Sequence, residues 1–190
     1  MKYEAGKAPK MTGDKENYRY VLQQDGKKTL VVLGVNPSTA SDEKTDPTID
    51  AVLRIVRDNK GYDSFAMINL YPKRSSKVSN LPAENDFDGA EAEKNCDYIR
   101  KLVEKNRDVL LAFGNCIEER KYLTTCFRKI VEKLSDLRPN YKIITLTGDG
   151  NPCHPLYAWR CKNVIFAPNE DRSYLLQNLD DVNSLRILKK

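Results

Sequence analysis

The chain has 190 residues, 40% of them hydrophobic, with 9 Gly and 9 Pro, which supports one globular core and excludes collagen-like, low-complexity and broadly disordered proteins. Against 32 basic residues stand 27 acidic ones, a formal charge of +5 that admits a polyanionic partner without requiring one. Residues 1–15 are polar and no run of about 18 apolar residues occurs, so the protein is expected to be cytoplasmic, with no membrane partner.

In chain order, residues 1–15 read as a flexible N-terminus ahead of a single α/β domain over 16–190. Tyr18–Gln24 alternates like an edge strand, Asp25-Gly26 is a hairpin signal, and Thr29–Val35 is an unbroken apolar run, the pattern of a strand covered on both faces. Asp46-Pro47 reads as an N-cap and first helical residue, with Ile49, Val52, Leu53 and Val56 at helical spacing up to Gly61. A second buried strand, Ser64–Leu70, runs into a polar loop from Tyr71 to Asn85, which carries Lys73, Arg74 and Lys77 and is too long for a plain connection. A helix is expected over Phe87–Lys105, a strand over Asp108–Phe113 closed by Gly114, a helix over Ile117–Leu134 and a strand over Tyr141–Leu146. The loop Thr147–Tyr157 is rich in Gly and Pro; beyond it a short strand at Val164–Phe166 and a helix from Ser173 complete an extension over 158–190. The sum is a three-layer α/β sandwich around a mostly parallel four-stranded sheet, with an added N-terminal hairpin strand.

Right-handed crossovers would gather the loops after each strand on one rim, where open α/β sheets bind ligands. Asn36, Asn69, the Gly114-Asn115 turn and His154 are therefore expected to converge. His154 is the only histidine, held between Pro152 and Pro155; it serves either as a catalytic donor or as a structural ring. Asn36-Pro37-Ser38-Thr39 is either site chemistry or turn chemistry. Asp46 caps a helix and is free to act in a site as well, while Asp42 and Glu43 share its loop. The Asn69 amide offers a donor and an acceptor together, suited to a nucleobase edge, or else satisfies strand-end backbone groups. Five cysteines, odd in number and without a C-x-x-C pair, read as reduced thiols, and with one histidine no metal set is expected. No Walker A loop or G-x-G-x-x-G is present, and no cofactor is expected.

The set Gly34-Val35-Asn36-Pro37-Ser38-Thr39-Ala40, Asp46-Pro47-Thr48, Asn69-Leu70-Tyr71-Pro72 with Arg74, Phe113-Gly114 and His154-Pro155-Leu156-Tyr157 resembles the domain of unknown function 1643 family over about Tyr18–Tyr157. More distantly it is similar to the uracil-DNA glycosylase superfamily, with its Asn-Pro or Asp-Pro motif after the first core strand and its His-Pro motif after the last. That resemblance implies a glycosylase-like fold. It also implies a water positioned by Asn36, a base read by Asn69 and a leaving base stabilised by His154, with Asp46 or Asp42 assisting. Asn36 stands where the fastest members carry aspartate, and Ser38 replaces the tyrosine that excludes thymine, which implies slow turnover and loose base selectivity.

Pro37, Ser38, Thr39, Tyr71, Arg74, Gly114, Asn115, Pro155, Leu156 and Tyr157 would then contact substrate. Leu156-Tyr157 would wedge into a base stack, and Lys73, Arg74, Arg160 and Lys162 would hold phosphates. The expected partner is a nucleobase, nucleotide or nucleic acid, and the expected activity hydrolysis of an N-glycosidic bond. The alternatives are a non-catalytic nucleotide- or nucleic-acid-binding module and an interaction scaffold whose rim binds no base.

Overall fold

A computed structural model describes residues 3–4, 6–14, 16–168 and 173–189. Its centre is four parallel strands: β3 (Thr29–Gly34), β4 (Ser64–Asn69), β5 (Asp108–Leu111) and β6 (Asn140–Ile143). The sheet is nevertheless seven-stranded and mixed, correcting the expected four-stranded one. β1 (Lys10–Gly13), β2 (Arg19–Gln23) and β7 (Gln177–Asn178) add to its edges, in the order β1-β2-β4-β3-β5-β6-β7. Residues 10–13, expected within the N-terminal tail, thus form an edge strand against β2.

The Asp25-Gly26 signal does not make a hairpin between β2 and β3. β2 pairs antiparallel with β4, and β3 lies on the far side of β4. The intervening chain passes over the start of β4, where the Asp63 carboxylate accepts the Lys27 and Lys28 N–H groups at 3.1 and 2.9 Å. These side-chain bonds replace the ladder that a tight two-residue turn would have closed.

Both faces of the central strands are covered, as their apolar runs require. On one face α1 (Pro47–Asp58) packs Ile49, Val52 and Ile55 against Leu30, Val32, Phe65 and Leu110. On the other, α2 (Gly89–Val103) and α3 (Lys121–Lys133) pack Cys96, Ile99, Phe127 and Ile130 against Val31, Leu33, Ile68 and Leu111. Each strand therefore sends alternate residues into opposite layers. Asp46 caps α1 with Pro47 at its first turn, as the sequence predicts, and Asp88 caps α2 by accepting the Ala90 and Glu91 N–H groups. The helix expected from Ile117 is preceded by a 3-10 segment, Gly114–Glu119, and becomes α-helical only at Lys121.

The C-terminal expectations fail in two places. Phe166 forms only an isolated bridge with Tyr174, and the segment expected to be helical from Ser173 is extended, ending in β7 antiparallel to β6. Asn59 at the end of α1 holds it there, donating to the Tyr174 carbonyl and accepting the Leu176 N–H, both at 2.8 Å. Nor are all the cysteines reduced. Cys153 and Cys161 are joined by a disulfide, because a 3-10 turn at Ala158–Arg160 folds the chain back, while Cys96, Cys116 and Cys126 are free. Among the described residues no helix is long and apolar enough to cross a membrane.

Candidate functional site

The spatial sequence β4-β3-β5-β6 reverses direction at β3, since the chain goes from β3 to one side and then returns to the other. Outside the carboxyl ends of parallel strands, such a reversal leaves a crevice. A cavity of about 620 Å³ occupies this place. The segments after all four parallel strands reach it: Asn36, Ser38 and Asp46 after β3; Ser75–Ser79 after β4; Phe113, Gly114, Asn115, Cys116 and Glu119 after β5; Thr147, His154, Leu156 and Tyr157 after β6.

His154 sits on this wall with its protonation set by its surroundings. Its Nδ1 accepts the Leu156 N–H at 3.2 Å, so the neutral ring carries its proton on Nε2 and offers an N–H donor. Burial pushes its pKa down to about 4, against the opposing pull of the Asp46 carboxylate. Gly114 makes this seat possible. Its φ is +62°, and a Cβ there would lie 3.2 Å from the His154 Cβ. The Gly114 N–H also donates to the Pro152 carbonyl at 2.9 Å, tying the β5 and β6 loops together.

With one histidine in the chain, the imidazole can be followed alone. A proton NMR titration is expected to give a midpoint near 4 rather than the ordinary value near 6.5. The ring is depressed in the fold, so its contribution to stability is complete above about 6.5 and is lost as pH falls toward 4. A midpoint at 6.5 would mean the ring is solvated rather than enclosed in the cavity wall.

Asn36 directs both amide protons into the protein, to the carbonyls of Pro37 at 3.1 Å and Ser75 at 2.7 Å. Its Oδ1 is the acceptor left over. Asp46 accepts the Ile49 N–H at 2.9 Å and the Ala40 N–H at 3.2 Å. It is therefore both the cap of α1, a role worth about 1 kcal/mol, and a carboxylate in the cavity wall.

Asn69 is in β4 and fully buried, and neither Nδ2 nor Oδ1 has a hydrogen-bond partner. It does not face the open cavity. It lies directly behind the floor formed by Gly34 and Met67: a Cβ built on Gly34 would fall 2.5 Å from the Met67 Cε and 2.9 Å from the Asn69 Oδ1. Satisfying the strand end is the work of another residue. Asn95 of α2 donates Nδ2 to the Asn69 carbonyl at 2.8 Å.

Of the other residues singled out from sequence, Ser38, Gly114, Asn115, Leu156 and Tyr157 reach the cavity wall, whereas Pro37, Thr39, Arg74, Pro155 and Asp42 do not. Tyr71 is fully buried in the α2/α3 layer, packed on Phe87 and Tyr122, with its hydroxyl accepting the Asp88 N–H. An aromatic side chain on the inward face of a strand end serves the core, which overrides the motif reading of that position. The Asn115 side chain is committed to Asp149, Thr147 and Asn151. Lys73 bonds Asn17 and lies over the Tyr18 ring. Tyr157, 55% exposed at the mouth, leans on the His154 ring and carries the Arg160 guanidinium.

Sequence reasoning missed Arg19 and Met67. Arg19 is a charged residue within an apolar strand and only 2% exposed, yet it lines the cavity; that misfit with its neighbours was the available signal. The described residues contain no group of three or more His, Cys, Asp or Glu able to hold a metal ion.

The fold and cavity define an α/β protein with a crevice at its topological switch point. Residues 19–156 match the family described as Protein of unknown function (DUF1643), and the chain belongs to that family. No curated protein and no solved structure matches it.

Proposed function

We propose that the cavity binds a nucleobase-bearing ligand and hydrolyses its N-glycosidic bond slowly, in the manner of the uracil-DNA glycosylase superfamily. The observation that carries this reading is Asn69: a carboxamide with donor and acceptor both unpartnered, fully buried against the cavity floor. Each such atom left unsatisfied costs about 1–3 kcal/mol. A planar heterocycle with an adjacent acceptor and donor, reaching the amide as Met67 swings aside, satisfies both at once.

Breaking the bond sends its electron pair to the base, whose oxygen then takes charge. The His154 Nε2–H is the neutral donor that stabilises this charge. The carboxylate of Asp46 favours the positive charge developing on the sugar, and Asn36 Oδ1 holds the water whose oxygen bonds to the sugar carbon. One water proton stays on the new sugar hydroxyl and the other passes by way of solvent to the departing base, giving free base and a hydroxylated sugar. Asn36 orients the water but takes no proton, so turnover is slow.

The test is base release by purified protein from nucleosides, nucleotides and uracil-, hypoxanthine- and thymine-mismatch DNA. Loss of one such donor costs about 10²–10³ in rate, so His154→Ala is expected to fall by that factor. Release no greater in the native protein than in His154→Ala would overturn the catalytic reading. Saturable binding without release, lost in Asn69→Ala, would instead establish a non-catalytic binding module.

A further inference from the structure

We infer that Arg19 is the anchor of an oxyanion site inside the cavity, and that the ligand is a free phosphate monoester of mononucleotide class rather than a base extruded from a polymer. This rests on the nucleobase reading and narrows it.

Arg19 enters the cavity wall from β2, where it is 2% exposed. The bond from Nη1 to the Ala40 carbonyl at 2.7 Å is the only one its guanidinium makes among the described residues, and its Nε is buried without a partner. No ion pair engages it among those residues. Arg74 comes from the neighbouring loop to the same carbonyl, donating from Nη2 at 3.2 Å. Two guanidiniums thus converge on one neutral oxygen, and the Asp46 carboxylate offsets their mutual repulsion only in part.

Burial and the Arg74 charge lower Arg19 to about 10, which leaves it protonated at neutral pH. Asp46 is the nearby carboxylate, but both its oxygens already accept backbone N–H groups. Thr48 and Lys77 also line the cavity, adding a hydroxyl and a further cation. Donors arriving from several directions suit a tetrahedral phosphate better than a planar group.

The burial of Arg19 decides between a monomer and a polymer. A phosphodiester must continue along the surface on both sides, whereas the terminal group of a monoester can enter a closed wall.

The experiment is calorimetric titration of the full chain with nucleoside 5′-monophosphates, the matching nucleosides, ribose 5-phosphate, inorganic phosphate and single-stranded oligonucleotides. Charge-assisted hydrogen bonds contribute about 1.5–3 kcal/mol, so the monophosphates are expected to bind about tenfold to a hundredfold tighter than the nucleosides. Arg19→Gln abolishes that preference, and Arg19→Lys restores part of it. Should Arg19→Gln fail to fold, the native comparison decides alone. Equal affinity for nucleoside and monophosphate, or tighter binding of oligonucleotides, overturns the anion site and leaves the nucleobase reading standing. Ribose 5-phosphate binding as tightly as the nucleotides upholds the anion site and sinks the nucleobase reading instead.

Discussion

Asn69→Leu is expected to stabilise the protein by about 1–3 kcal/mol while abolishing ligand discrimination. The two side chains have the same number of heavy atoms, and the native one sits fully buried with both polar atoms unpaired. Replacing the amide by methyl groups removes a desolvation cost that no bond offsets, and gives Met67 and Gly34 an apolar neighbour. In urea denaturation the midpoint should rise with an unchanged slope. For a chain of this size each kcal/mol should raise the melting temperature by about 2–4 °C. Binding and base release should disappear together. A residue kept for function at the expense of stability behaves in this way. Destabilisation of similar size would show that the carboxamide holds the fold together, and the base-reading role would fall.

Gly114→Ala should act in the opposite sense, at the other wall. The φ of +62° places this residue where an L side chain costs about 1–2 kcal/mol. The new methyl would also press on the His154 Cβ at 3.2 Å. Stability is expected to drop by about 1–2 kcal/mol, and the imidazole should be driven outward. Its NMR titration midpoint should then climb from about 4 toward the solvated value near 6.5. Gly148→Ala is the control, since a Cβ there meets nothing within 4 Å. If Gly114→Ala left the midpoint unmoved, the close packing of these two loops would have no part in tuning the ring.

The central strands and the start of α1 were legible because the physics that makes them is local. Leu30–Leu33 has no polar alternation, and Asp46-Pro47 carries both a cap and a fixed φ. Strand order was not legible. Nothing in Tyr18–Gln24 distinguishes pairing with β3 from pairing with β4, and the Asp63 carboxylate that catches the connecting backbone lies 35 positions away. The disulfide escaped notice for the same reason: residues 153 and 161 are brought together by a 3-10 turn that spacing alone does not announce. At the site, Asn36, the Gly114-Asn115 turn and His154, expected to converge, all line the cavity, whereas Asn69, expected with them, lies behind its floor. The motif reading misplaced Tyr71, since adjacency to Asn69 says nothing about which way alternate side chains point. Arg19 was overlooked because it lies at the start of a strand rather than in a loop after one.

The margins of the sheet bear on how copies of this chain meet one another. A broad sheet with long free borders would offer unpaired N–H and C=O groups to other copies and precipitate at calorimetric concentrations. Here one border is a four-residue strand whose register shifts between Thr12 and Gly13, with Lys10 holding Asp25 beside it. The other border is only two residues long. Among the described residues neither margin offers a straight template, so strand-to-strand stacking between copies is discouraged.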